Sequence, residues 1–224
     1  MKANLCRHDL IFLTERGQRY AWEHREDREP ESEPVQRLFQ NLPGIYRTQP
    51  PELAGRMAAL GFSLPIQERG GRRRIASQAP MKEISAVLSP WDLCRLIPHL
   101  PSPAGPALEE ARQAALSEGL VFGLFGSAAL QAVTGLPYLH KSSDLDIIIQ
   151  GGAVKRVERF YQSVMQVERA WNVAFDAELM LKGPIYIKLR ELMAGGKTVL
   201  AKGASRPQLL LRQAVWETMA ALPQ

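Results

Sequence analysis

From Leu120 onward the chain keeps to a regular succession of short apolar runs and helical periods, and this succession limits what it can fold into. LVFGLF (120–125) reads as a strand, SAALQAVTG as a helix, DLDIIIQ (144–150) as a strand and AVKRVERFYQSVMQVERAW (153–171) as a long amphipathic helix. Three more strands are predicted in NVAFDAELML, IYIKLREL and KTVLAKG, and a last helix in RPQLLLRQAVWETMAAL behind a cap at Ser205. Just upstream, SPWDLCRLI opens a helix with Ser89 as cap and Pro90 at its first position. A Pro-rich connector spans His99 to Leu108, and ALEEARQAALSEG is a helix closed by Gly119. The pattern is that of an α+β protein.

The first third is different in texture. HDLIFLT (8–14) reads as a strand and EHREDREPESEP (23–34) as a charged surface loop. FSLPIQER and RRRIAS flank Gly70-Gly71, a two-residue hairpin signal, and Pro65 marks the first of these strands as an edge. Arg72-Arg73-Arg74 is a candidate anion patch. On a strand only Arg72 and Arg74 share a face, and a charged edge that discourages strand pairing is the favoured reading of the run. A strand-rich N-terminal domain over residues 1–84 and a second domain over 85–224 are expected.

Composition narrows the partners. The formal charge is +5 and the sequence pI about 9.4, a balance suited to an anionic partner of unspecified kind. No segment approaches the roughly 18 consecutive apolar residues of a membrane span. Cys6 and Cys94 lie far apart among apolar neighbours, with no metal spacing, so buried thiols and a cytoplasmic setting are expected.

Chemistry concentrates between Phe125 and Glu178. In DLDIII, Asp144 and Asp146 project to one face with Cα atoms about 6.6 Å apart, and Leu145 and Ile147 project to the other. Paired carboxylates resist joint ionisation unless a cation lies between them, and hard oxygen donors suit Mg²⁺. A polar turn running into a strand has the same sequence. Gly126-Ser127 joins a strand to a helix, where exposed amides attract phosphate. AFDAELML adds Asp176 and Glu178 on one strand face.

This ordered set of Gly-Ser turn, Asp-x-Asp strand and a later acid resembles the nucleotidyltransferase superfamily, the fold of DNA polymerase beta. The Ser127-to-Asp144 gap is longer than is usual there, so an extra loop must be accommodated. GSAALQAVTGLPYLHKSSDLDIII, with Thr134 to Leu139 and Ser143 to Asp146, is similar to the signature of the malonate decarboxylase holo-acyl-carrier-protein synthases, the phosphoribosyl-dephospho-CoA transferases. Arg7 to Leu10, Leu189 to Leu192 and VLAKG are further short similarities. The resemblance implies a polymerase-beta-like mixed sheet with flanking helices. It also implies transfer of the phosphoribosyl-dephospho-CoA group from its triphosphate to a serine of an acyl-carrier protein. The expected partners are that carrier, the malonate decarboxylase subunit, and the triphosphate donor, with no nucleic acid.

Under this resemblance Asp144, Asp146 and Asp176 are the catalytic and Mg²⁺-binding acids, with Glu178 the alternative to Asp176. Gly126 and Ser127 are expected to hold the leaving diphosphate. Lys188 and Arg190, sharing a strand face, and Lys202 are expected to bind the polyphosphate or the carrier. His140 reads as a surface residue or a base, and Tyr138 as an adenine platform or a loop-packing residue. The competing functions are a different nucleotidyltransferase acting on an NTP, and a non-catalytic binding module on the same fold.

Overall fold

The computed structural model describes residues 5–26, 32–47, 55–68, 71–182, 185–203 and 207–220. The chain divides into two compact units, Met1–Ser89 and Pro90–Gln224.

The first unit is a five-stranded antiparallel sheet with two helices. Its elements are β1 (Leu10–Leu13), α1 (Glu15–Glu23), α2 (Glu33–Gln40), β2 (Gly44–Tyr46), β3 (Met57–Glu68), β4 (Gly71–Pro80) and β5 (Ile84–Leu88). The strand order is β4-β3-β2-β1-β5. Because β5 pairs with β1 along Leu10↔Leu88 to Leu13↔Ile84, residues 85–89 belong to this unit. Phe39 and Phe62 fill the core with ring centroids 4.1 Å apart, and Ile11, Leu60 and Leu64 are fully buried. Thr14 caps α1 by accepting the Gly17 N–H at 3.1 Å, and its hydroxyl donates to Glu83 Oε2 at 2.6 Å.

The hairpin signal corresponds to the β3–β4 pair, and Gly71 adopts φ +114°; Gly70 lies outside the described residues, as do 27–31 of the charged loop. Pro65 does not mark an edge. β3 is an inner strand, paired with β2 at Leu60 and Gly61, and Pro65 falls further along, where the β3–β4 register shifts between Ser63 and Gln67. A register break removes the ladder bond that proline cannot make. The arginine run lies on β4, the outer strand of the sheet.

The second unit runs α3 (Pro90–Leu93), a 3-10 turn (Cys94–His99), α4 (Ala104–Ser117), β6 (Val121–Leu124), α5 (Gly126–Thr134), β7 (Leu145–Gln150), α6 (Val154–Trp171), β8 (Phe175–Leu181), β9 (Ile185–Lys188), α7 (Leu189–Met193), β10 (Thr198–Lys202), β11 (Gln208–Leu211) and α8 (Arg212–Ala220). Its six-stranded sheet has the order β11-β10-β9-β8-β7-β6; β7 and β8 are parallel and the other neighbours antiparallel. The α+β class follows, with one mixed and one antiparallel sheet.

The two faces of this sheet differ. Ile147, Ile149, Leu179, Ile187, Val199 and Ala201 make one face almost wholly buried. The register rows Asp146↔Asp176 and Glu178↔Lys188 put polar groups on the other. At the β6 end that second face is closed by α3, since a Cβ on Gly123 would come within 2.8 Å of the Trp91 ring. Phe125, Ile148 and Tyr186 continue the packing, with Trp91 and Met180 against them.

Three segments depart from the sequence reading. IYIKLREL is a strand only to Lys188, so Lys188 and Arg190 do not share a strand face. Leu189 and Leu192 are both fully buried, and a spacing of three serves a helix, not an alternating strand. Where β9 stops, Glu191 Oε2 takes the Leu200 N–H at 3.3 Å in place of a strand partner. QLLL is strand β11, not helix, because pairing with β10 outweighs the helical preference of leucine; the expected cap, Ser205, lies outside the described residues. α4 begins at Ala104, earlier than the Pro-rich connector suggested, with Pro106 in its first turn, where no N–H is needed.

Leu192→Ala is expected to cost about 2–5 kcal/mol, measured by urea unfolding, as a fully buried leucine in a helix should. Arg190→Ala at the exposed position should change stability by less than about 1 kcal/mol.

Candidate active site

The site is built around residue 126. α5 starts at Gly126 with φ +65°, and a Cβ there would lie 1.9 Å from Asp146 Oδ2 and 2.5 Å from Cγ. Glycine is required twice over, by the left-handed backbone and by a carboxylate occupying the side-chain space. The Ser127 N–H at the start of α5 donates to Asp146 Oδ2 at 3.4 Å, a long bond. Of the helix-start amides expected to hold phosphate, that of Ser127 is directed to Asp146.

Across the parallel pair, Asp146 is in register with Asp176. Asp144 precedes β7 by one residue, is exposed, and lines a cleft of about 320 Å³ with Phe175, Asp176, Lys188 and Arg190. Glu178 is almost fully buried beneath Asp176 on β8 and is not part of this lining, so Asp176 is the acid the cleft presents. Lys188 Nζ donates to Asp176 Oδ2 at 2.7 Å, which raises the lysine pKa. The Asp146 carboxyl is raised to about 7: burial pushes it up most, the Ser127 N–H pulls it down, and the carboxylates of Asp176, Asp144 and Glu178 add to the rise.

Glu168 was not singled out by its place on the polar side of α6. Its Oε1 accepts both the Phe175 N–H at 2.7 Å and Arg190 Nη2 at 3.0 Å, tying the start of β8 to the cleft rim. Lys202 ends β10 opposite Tyr186 and does not line the cleft.

The long loop after α5 is a fixed support. Gln131 Oε1 accepts the N–H groups of Tyr138 at 3.0 Å and Leu139 at 2.8 Å. Tyr138 is fully buried and packs the loop, so it offers no face for stacking. His140 is exposed and outside the cleft; its N–H donates to Ser143 Oγ at 2.9 Å, and the Ser143 N–H donates to the His140 carbonyl at 3.0 Å, closing the turn before Asp144.

Among the described residues no three His, Cys, Asp or Glu side chains converge on one cation position. The Asp176 carboxylate is engaged by Lys188. No described helix is long and apolar enough to cross a membrane. Cys6 and Cys94 are half-buried, without a disulfide. Cys94 Sγ donates to the Phe122 carbonyl at 3.0 Å, and burial pushes its pKa up to about 11.

Comparison with known proteins gives the class and then the family. Both units match models of a transferase, the phosphoribosyl-dephospho-CoA transferase MdcG: residues 6–90 its N-terminal domain and residues 92–213 its C-terminal domain. The chain is an enzyme of the transferase class. It belongs to the phosphoribosyl-dephospho-CoA transferase family. A relative bearing that name from Bradyrhizobium diazoefficiens is 28% identical over 92% of this chain and 90% of its own length. Two from Xanthomonas share it: X. axonopodis pv. citri, 32% identical over 72% of this chain and 75% of the relative, and X. euvesicatoria pv. vesicatoria, 29% over 96% and 98%. No solved structure matches the chain significantly.

Gly126→Ala is expected to destabilise the protein by about 1–3 kcal/mol in thermal unfolding, from the left-handed backbone alone. Asp146 gives a pH signature. The folded state keeps its proton up to about pH 7, whereas an ordinary aspartate loses it at 3.8, so ionisation costs stability as pH rises through that interval. In EDTA, Asp146→Asn should therefore raise the unfolding midpoint at pH 8, with the gain fading toward pH 4.

Proposed function

We propose that the chain transfers 2'-(5''-phosphoribosyl)-3'-dephospho-CoA from its triphosphate to a serine of an apo acyl-carrier protein, that of malonate decarboxylase, in the cytoplasm. The observation that carries this reading is the shielded Asp146 carboxylate, set against a helix start and in register with Asp176. The arrangement supports a nucleotidyltransferase-like site, and the family match supports the donor.

The donor set fits Mg²⁺. Asp144 and Asp146 supply hard oxygens, and burial, with the neighbouring carboxylates adding to it, disfavours the Asp146 anion in a way that a bound cation would offset. Magnesium commonly uses one or two carboxylates together with substrate phosphates, so a three-acid cage is unnecessary. When bound at Asp144 and Asp146, it would neutralise the triphosphate.

The protein's own groups do the rest. Lys188 and Arg190 on the cleft wall draw in the triphosphate and balance charge as it shifts toward the leaving group. The Ser127 side chain and the amides that follow it receive the diphosphate. The carrier serine oxygen bonds to the α-phosphorus as the bond from that phosphorus to the bridging oxygen breaks. Diphosphate departs with the bonding pair, and the serine proton passes to the Asp176 carboxylate, oriented by Lys188.

The test is incubation with apo carrier, the triphosphate donor and Mg²⁺, followed by intact-mass measurement. A phosphodiester-linked adduct is expected, with the rate reduced at least about 100-fold in Asp144→Ala and Asp146→Ala. A carrier left unmodified, or labelled with ordinary NTPs instead, overturns the reading. Variants that keep the normal rate overturn the acid assignment.

A further inference from the structure

Strand register carries the active face of the second sheet beyond the cleft. Lys202 pairs with Tyr186, so two residues back on the antiparallel strand Leu200 falls level with Lys188, which is itself level with Glu178. Leu200 in turn pairs with Leu209, and Thr198 with Leu211. Paired residues project to the same side, so Leu200, Leu209 and Leu211 stand on the face that carries Asp146, Asp176 and Lys188. The alternating residues of β10 on the opposite face, Val199 and Ala201, are buried, as a core requires. On the active face the leucines are open: Leu200 is 36% exposed, Leu209 71% and Leu211 63%.

Such a strip is unusual on β11, the outer strand of this sheet, where exposed apolar residues invite association. It begins at the wall of the cleft. From β8 to β11 is three strand spacings, about 14 Å. A partner seated on the leucines thus places its own surface over the acids.

The charge around the strip selects the partner. Lys202 shares the face, and Lys197 and Arg212 meet at the other end of the β10–β11 pair, where the Arg212 N–H donates to the Lys197 carbonyl at 3.0 Å. The neighbouring acid, Glu191, has its carboxylate directed to the Leu200 N–H. An apolar strip with Lys202 on its own face and two more cations beyond the far end of the strand pair complements an apolar patch ringed by carboxylates.

We propose that the β10–β11 face docks the acceptor protein, a carrier domain that presents apolar residues flanked by Asp and Glu beside its modifiable serine. This rests on the proposed transfer to a carrier serine. It adds where the acceptor binds and which surface it must present.

The experiment compares the wild-type chain with Leu209→Glu/Leu211→Glu and Leu209→Lys/Leu211→Lys, with initial rates of carrier modification at varied carrier concentration. The Glu pair should lower kcat/KM for the carrier at least about 30-fold, and the Lys pair distinctly less, because it removes the apolar contact while adding attraction. The dissociation constant for the triphosphate donor, measured by calorimetry without carrier, should stay within about twofold. Leu209→Ser, a milder change, replaces the pairs if they fail to fold, and should raise the carrier KM several-fold.

Wild-type kcat/KM in the Glu variant overturns the docking face, as does equal loss in both charge variants. Weakened donor binding overturns it too, because the cleft itself would then be disturbed. A change from dimer to monomer in light scattering assigns the strip to a second copy of this chain and also overturns it. A wild-type chain that leaves the carrier unmodified refutes the proposed transfer, and this surface with it, before any variant is compared.

Discussion

The Asp146 carboxylate occupies the space that a side chain at residue 126 would need, and the geometry of the site follows from this contact. It brings the start of α5 onto β7, turns the Ser127 N–H toward an oxygen, and partly shields the carboxylate beside Asp144, Asp176 and Glu178. Such a cluster is costly in isolation. Its cost is reduced by one helix start and one lysine, and the charge left over is what a phosphate-bound cation would balance.

Position is set on one side by local chemistry and on the other by long-range pairing. The loop between α5 and β7 is long, yet Gln131 fixes two of its amides, Tyr138 anchors it in the core and the Ser143 turn delivers Asp144 to the cleft. The parallel β7–β8 register then places Asp176 beside Asp146. β9 contributes Lys188 before the chain bends into α7, and that bend carries Arg190 to the rim.

Features that depend on neighbouring residues were legible in the sequence. Gly126-Ser127 announces a backbone that a side chain would obstruct, and period two separates the aspartates of β7 and β8 from the apolar residues between them. What depends on distant pairing was not. Lys188 reads as a cation for the polyphosphate or the carrier, and its ion pair with Asp176 emerges only when β9 lies against β8. LREL reads as strand until Leu189 and Leu192 are seen to be buried together, and QLLL reads as helix until β10 is beside it. Tyr138 reads equally as an adenine platform or a packing residue, because the loop sequence carries no sign of the glutamine that pins it. Pro65 correctly signalled a missing ladder bond but not which irregularity absorbs it.

Glu168 draws these levels together. One oxygen of its carboxylate holds the first amide of β8 and the guanidinium of Arg190, while its backbone carbonyl receives the Val173 N–H in the turn between. The alignment of Asp176 and the placement of Arg190 thus share a single fastening. A residue inserted between α6 and β8 would disturb both together, so the geometry of the cleft depends on the length of that short connection as well as on the side chains that line it.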